Sequence, residues 1–148
     1  MHHVVFLDRD TIAPAVVVRR PSFPHTWTEY ARTAAADVFE RAKDATILIL
    51  NKVEMRAAML DRLPKLKLIA VAATGTDCVD VAAAAARGIP TVNIRGYAKA
   101  TVPEHTFALI LALARSLVPY RASVLAGRWQ EAAQFCYFDF PAIDLAGR

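Results

Sequence analysis

The sequence predicts an α/β fold: a parallel sheet with helices on both faces. Three observations carry this prediction. Short apolar runs of strand length alternate with segments of helical periodicity. The runs are apolar at consecutive positions, as in strands buried on both faces. Five strand-like runs follow one another within the first 95 residues, and right-handed crossovers join such units into one sheet.

The first run is Val4-Val5-Phe6-Leu7, closed by Asp8-Arg9-Asp10. The second, Ala15-Val16-Val17-Val18, closes at Arg19-Arg20-Pro21, and the two prolines of Pro21-Ser22-Phe23-Pro24-His25 mark a loop. Ala34, Ala35, Val38, Phe39 and Ala42 recur at helical spacing over about 33–41. Thr46-Ile47-Leu48-Ile49-Leu50 is the clearest strand and ends in Asn51-Lys52; a helix over roughly 56–62 stops before Pro64. Leu68-Ile69-Ala70-Val71-Ala72 is a further buried strand, breaking into Thr74-Gly75-Thr76-Asp77. Asp77 is placed to cap the next helix, with Asp80 near its positive end. That helix runs through the alanines at 82–86 to Arg87-Gly88, where glycine suits the left-handed C′ position. Pro90 precedes the last short strand, Thr91-Val92-Asn93-Ile94.

After residue 95 the pattern changes. Thr101-Val102-Pro103-Glu104 reads as a helix start, with Thr at the cap, Pro in the first turn and Glu completing a capping box. Phe107, Ile110, Leu111, Ala114, Leu117 and Val118 then supply a broad apolar face on one long helix reaching about Leu125 and ended by Gly127. The tail from Arg128 carries Trp129, Phe135, Tyr137, Phe138 and Phe140 without periodicity, an aromatic-rich segment expected to pack on something.

Composition narrows the function classes. The chain has 148 residues, 55% hydrophobic and 22% charged, so it has the apolar surface to offset the entropy of ordering. Only five glycines occur, and no two are spaced as G-x-G, so no dinucleotide fingerprint or Walker A loop can be written within it. The net charge of +4 is scattered, with no basic cluster interleaved with aromatics, which speaks against nucleic acid and leaves a basic surface favouring small anions. Cys78 and Cys136 lack the spacing of a metal site, no metal motif is found, and reduced thiols in a cytoplasmic protein are expected. No secretory leader is read at the start. The apolar helical stretch at 107–114 is far short of a membrane span, so a soluble protein with no membrane role is expected.

In open α/β sheets ligands bind outside the carboxyl ends of the strands. The turn Ala73-Thr74-Gly75-Thr76-Asp77 lies between a buried strand and a helix start. Its backbone N–H groups could hold a carboxylate, or it is an ordinary βα turn with Asp77 merely capping. Lys52 could reach the same crevice or lie solvated. His105 has no catalytic partner at useful spacing and reads as a surface or structural residue, and neither cysteine has an evident base near it in sequence. Asp8 and Asp10 end the first strand as in receiver domains, but the rest of that pattern is not completed.

Taken together, Val71-Ala72-Ala73-Thr74-Gly75-Thr76-Asp77-Cys78-Val79-Asp80, Arg87-Gly88-Ile89-Pro90, Val92-Asn93 and Thr101-Val102-Pro103-Glu104-His105-Thr106 resemble the NAD(P)-dependent D-isomer-specific 2-hydroxyacid dehydrogenases. Within them the chain looks most like the glycerate dehydrogenase or hydroxypyruvate reductase group. The Asn51-Lys52 strand end and the segment from Gly127-Arg128-Trp129 to Phe140 fit that group as well.

The resemblance implies a flavodoxin-like substrate domain over 1–98. It also implies an inter-domain helix and the start of a Rossmann NAD(P)-binding domain over 99–148. Ala73, Thr74 and Gly75 would present backbone N–H groups to a substrate carboxylate, Lys52 would line the substrate cleft, and Thr101 would lie near the cofactor, NAD or NADP. The implied reaction is hydride transfer between nicotinamide and a small 2-oxo or 2-hydroxy acid such as hydroxypyruvate, D-glycerate or glyoxylate, in a protein that is a homodimer at full length.

Two departures stand in the turn: Ala73 where the family usually has glycine, and Cys78 where it usually has Asn. A third concerns the ending. In the family, a segment like Asp144-Leu145-Ala146-Gly147-Arg148 is followed by the first Rossmann strand, and the catalytic Arg, Glu and His come later still. No catalytic residue is therefore assigned in this chain, and His105 does not take that His's role. The chain reads as the N-terminal portion of a dehydrogenase, inactive alone. The alternative is a non-catalytic binding or assembly module derived from the same domain.

Overall fold

β1 (His2–Phe6) explains the fold best, because it is paired on both sides: with β2 (His25–Glu29) and with β3 (Ile47–Leu50). β4 (Leu68–Val71) and β5 (Thr91–Asn93) extend the sheet beyond β3. Every pairing is parallel and the order is β2-β1-β3-β4-β5, the flavodoxin-like order. The computed structural model describes residues 1–147. It divides into two units, Met1–Gly96 and Tyr97–Arg148, and Arg148 lies outside the described residues.

In the first unit, α1 (Val38–Ala42), α2 (Ala57–Leu60) and α3 (Val81–Ala86) contribute Val38, Ala42, Leu60 and Ala84 to a core shared with Val5, Leu7, Leu48, Leu50, Ile69 and Val71. Successive strand residues point to opposite faces. Leu48, Leu50, Ile69 and Val71 are therefore buried, while Ile47, Ile49, Leu68 and Ala70 are only half-buried. On β1 the alternation vanishes, and Val4, Val5 and Phe6 are all fully buried, as expected of the central strand.

The second strand is not where the apolar run placed it. Residues 15–18 form no strand, and Val17 is 83% exposed; Arg9 instead donates to the carbonyls of Ile12 and Val16. The strand is His25–Glu29, begun inside the expected loop. It is an edge, so it need not be apolar: Thr and Trp suit a half-buried strand, and Phe23, His25 and Trp27 stack edge to face along it. Asp77 does not cap α3. Asp80 does, accepting from the Ala83 amide at 2.9 Å.

In the second unit the expected single helix is two, α4 (Ala98–Ala114) and α5 (Leu117–Leu125), bent by 60°. Ser116 at the break has φ 48°. Pro119 accounts for it, since it has no N–H to continue the ladder and is tolerated only in the first turn of a new helix. Thr101 is not a cap: α4 begins at Ala98, and Thr101 and Pro103 lie inside it. Exposed Phe107, Leu109, Ile110, Leu111 and Leu113 surround α4 rather than forming one face. The aromatic tail divides. Tyr137 is buried beside Tyr120 and Trp129, and Tyr120 Oη–H donates to the Phe140 carbonyl at 2.8 Å. Phe135 and Phe138 remain exposed. No single helix among the described residues is long and apolar enough to cross a membrane; α4 and α5 meet that measure only together, as a bent pair.

The burial difference gives a direct test. Leu48→Ala, at a fully buried position, is expected to cost about 2–5 kcal/mol in urea unfolding. Val17→Ala, in the run that forms no strand, is expected to stay within about 0.5 kcal/mol.

Candidate functional site

The chemistry collects where the strands of the first unit end. Asp8 follows the apolar run of β1 and is buried. Its carboxylate accepts from the three consecutive amides that leave β3: Asn51 at 2.9 Å to Oδ1, and Lys52 at 2.6 Å and Val53 at 3.1 Å to Oδ2. The same loop is tied to the β4 side. Cys78 Sγ–H donates to the Asn51 carbonyl at 3.4 Å, Met55 N–H to the Cys78 carbonyl at 2.7 Å, and Asp80 N–H to the Met55 carbonyl at 2.9 Å.

Beyond β4, the turn at 73–77 is braced from β5. The Ala73 carbonyl accepts from Ile94 N–H at 3.0 Å, the Thr74 carbonyl from Asn93 Nδ2 at 2.6 Å, and Thr74 Oγ1–H donates to the Ile94 carbonyl. With the Ala73 and Thr74 carbonyls held, the turn leaves amides over. Among the described residues, the N–H groups of Thr74, Gly75 and Thr76 meet no protein acceptor. A Cβ at Gly75 would stand 3.2 Å from Asp77 Oδ2, a close contact with an exposed side chain that has room to give.

The two loops face each other across a cleft of about 230 Å³. Lys52, Ala73 and Gly75 line it, as do Asn51, Glu54, Arg56, Asp77 and Cys78. Thr74 does not, its hydroxyl being turned to Ile94. Thr101 belongs to the second unit, exposed on α4. His105 is likewise exposed there. A larger hollow of about 570 Å³ shares Lys52, Glu54 and Arg56 with the cleft and continues over Val53, Met59 and Arg62.

The charges in the cleft are not equally available. Arg56 donates to Glu54 at 2.8 Å and to the Asp77 carbonyl at 2.9 Å, and it holds the Glu54 carboxyl below its usual range. Lys52 has no ion-pair partner among the described residues. Burial pushes the Cys78 thiol up, and the Asp8 carboxylate adds to that shift. Asn51 Oδ1 is buried in the wall without a partner among the described residues. Such an arrangement can hold a small anion on backbone amides with one ammonium opposite. The sequence pattern marks Cys78 only as a departure in the turn and does not mark Asp8 or Arg56 as parts of the site. A charged residue directly after an all-apolar strand, at the edge where ligands bind, was the available signal for Asp8.

Residues 17–135 match the D-isomer specific 2-hydroxyacid dehydrogenase catalytic domain. The chain belongs to that family. It is 54% identical over 145 residues to a glycerate dehydrogenase of Methylorubrum extorquens, covering 97% of this chain and 46% of the relative. It is 34% identical over 122 residues to a hydroxypyruvate reductase of Blautia hydrogenotrophica, covering 80% and 38%. Among solved structures it superposes on an NADPH-dependent glyoxylate/hydroxypyruvate reductase from Sinorhizobium meliloti with a TM-score of 0.73 and 26% identity, over 99% of this chain and 44% of that one. The chain thus spans less than half the length of these 2-hydroxyacid dehydrogenase relatives.

Thiol reactivity follows the thiolate fraction. Because burial raises Cys78, its alkylation by iodoacetamide at neutral pH is expected to be slower in the folded chain than in urea at the same pH. Peptide mass spectrometry over a time course checks this.

Proposed function

We propose that this chain is the substrate-binding part of an NAD(P)-dependent 2-hydroxyacid dehydrogenase acting on a small 2-oxo or 2-hydroxy acid of the hydroxypyruvate, D-glycerate and glyoxylate type. The observation that carries the reading is the turn at 73–77, with a free amide at Gly75, which lines the cleft with unpaired Lys52, and a second free amide beside it at Thr74. The amides receive the substrate carboxylate, and Lys52 adds a positive charge on the opposite wall. Family membership and the names of the relatives support the same class.

The reaction transfers a hydride between the nicotinamide, of NAD or NADP, and carbon 2 of the acid. Residues 1–148 offer no glycine-rich phosphate turn for that cofactor, and Thr101 alone stands on its side of the reading. What these residues do is bind and orient: they fix the carboxylate end so that carbon 2 is presented outward. The setting proposed is cytoplasmic, consistent with two free cysteines.

Titration of the 148-residue chain with glyoxylate, followed by amide shifts, is expected to move the Thr74 and Gly75 signals. Lys52→Ala is expected to weaken that binding up to about fivefold, the range of one exposed ion pair. No turnover of hydroxypyruvate with NADH or NADPH above background is expected from residues 1–148 alone. Unmoved turn signals, or a measurable rate, would overturn the respective parts.

A second reading, assembly, is favoured by one observation: α4 exposes Phe107, Leu111 and Leu113 on more than one side, and a helix apolar all round is normally covered. We propose a homodimer at full length that uses this helix. Light scattering of the chain is expected to show self-association, and a clean monomer at micromolar concentration counts against it.

A further inference from the structure

We propose that Asp8 is a positioning residue for substrate binding, acting by occupying an anion site built from the protein's own backbone. The three consecutive amides of Asn51, Lys52 and Val53 converge on its carboxylate. Successive N–H groups of this kind form a concave nest that binds anions. This nest lies between the ends of β1 and β3, where the strand order reverses, the place at which open sheets of this order take their ligands. Asp8 fills it from within. An external carboxylate finds these amides taken and is directed one strand along, to the unpaired amides of Thr74 and Gly75.

The same contacts fix the backbone that carries Lys52. Asp8 reaches the amides of residues 51–53 from the β1 side, while Cys78 Sγ–H and Met55 N–H tie the loop to the β4 side. The ammonium of Lys52 is therefore mounted on a loop held at both flanks. The proposal rests on the reading of the turn at 73–77 as the carboxylate site.

Its test turns on sign. A fixed negative charge behind the cleft opposes binding of an anion, so if Asp8 acted only through its charge, Asp8→Asn would tighten glyoxylate binding. As a positioning residue its loss does the opposite: Asn offers one carbonyl oxygen to three amides and turns donors toward the rest. Asp8→Asn in the full chain is expected to bind glyoxylate about tenfold more weakly, the effect of one charge-assisted hydrogen bond lost. Its amide signals at 51–53 are expected to shift, while Asp10→Asn, the neighbouring exposed carboxylate, changes neither.

Unchanged or tighter binding by Asp8→Asn overturns the proposal while leaving the carboxylate site standing. If the wild-type chain binds no glyoxylate, the site reading fails and the positioning role falls with it. Should Asp8→Asn not fold, hydrogen exchange on the wild type decides. Amides 51–53 are expected to be protected like those of β3 although they lie outside any strand, and exchange at the rate of open loop amides overturns the clasp.

Discussion

Taking a carboxylate out of water costs several kcal/mol even after the protein has relaxed around it, and this chain does so at the end of its central strand. Asp8 is the one charged residue in the core of the described residues. Hydrogen bonds to a charged group contribute roughly 1.5–3 kcal/mol each, so three amides aimed at one carboxylate offset a penalty of that size, and a single one would not. The buried position is therefore stable only while the loop after β3 keeps its amides pointed at β1. Everything at the ligand edge of the sheet inherits that condition. The loop carries Lys52, its Asn51 carbonyl accepts from Cys78, and through Met55 it meets Val79 in a short parallel bridge. The ends of β1, β3 and β4 are consequently held as one piece.

This coupling explains why the cleft is formed without help from long helices. α1, α2 and α3 are short, with four to six residues each, too short to be stable alone. They persist because Val38, Ala42, Leu60 and Ala84 are inserted among the buried strand residues. The sheet thus holds the helices, and the strand ends hold the loops. Binding groups mounted on such a frame lose little freedom when a ligand arrives, which is how pre-organisation raises affinity without added contacts.

The α/β class and four of the five strands, β1, β3, β4 and β5, were legible in the sequence, the first three of them because central parallel strands are written as consecutive apolar residues. β2 was not, since an edge strand needs only one partner and one covered face, so polar His-Thr-Trp-Thr-Glu serves. The apolar run at 15–18 carried a strand-like signal that its surroundings leave unused: Arg9 holds the Val16 carbonyl instead of a neighbouring strand. The break at Ser116 was written in Pro119, but a proline three residues downstream marks an ending only when the preceding residue can take a left-handed turn, which composition does not reveal. At the site, Gly75 and Lys52 were visible as residue types that suit a turn and an anion. The partnership of Asp8 with residues 51–53 was not, because it joins positions more than forty apart in sequence and involves backbone groups that every residue shares.

The charge of +4 suggests at first that a basic surface attracts the anion, and the geometry argues otherwise. In the cleft two cations, Lys52 and Arg56, face two carboxylates, Glu54 and Asp77, and Arg56 is already committed to Glu54. The lining is formally neutral, so long-range attraction supplies little. What distinguishes the site is direction: amide dipoles at Thr74 and Gly75 are left unpaired by a turn whose Ala73 and Thr74 carbonyls are engaged from the β5 side. Such dipoles act over a few ångströms and only on an anion of the right shape, while the Asp77 carboxylate beside Gly75 repels one that sits too deep. A small carboxylate at the mouth of the turn satisfies both constraints. On the proposed reading of the turn, selectivity follows from oriented backbone polarity, and net charge does not decide it.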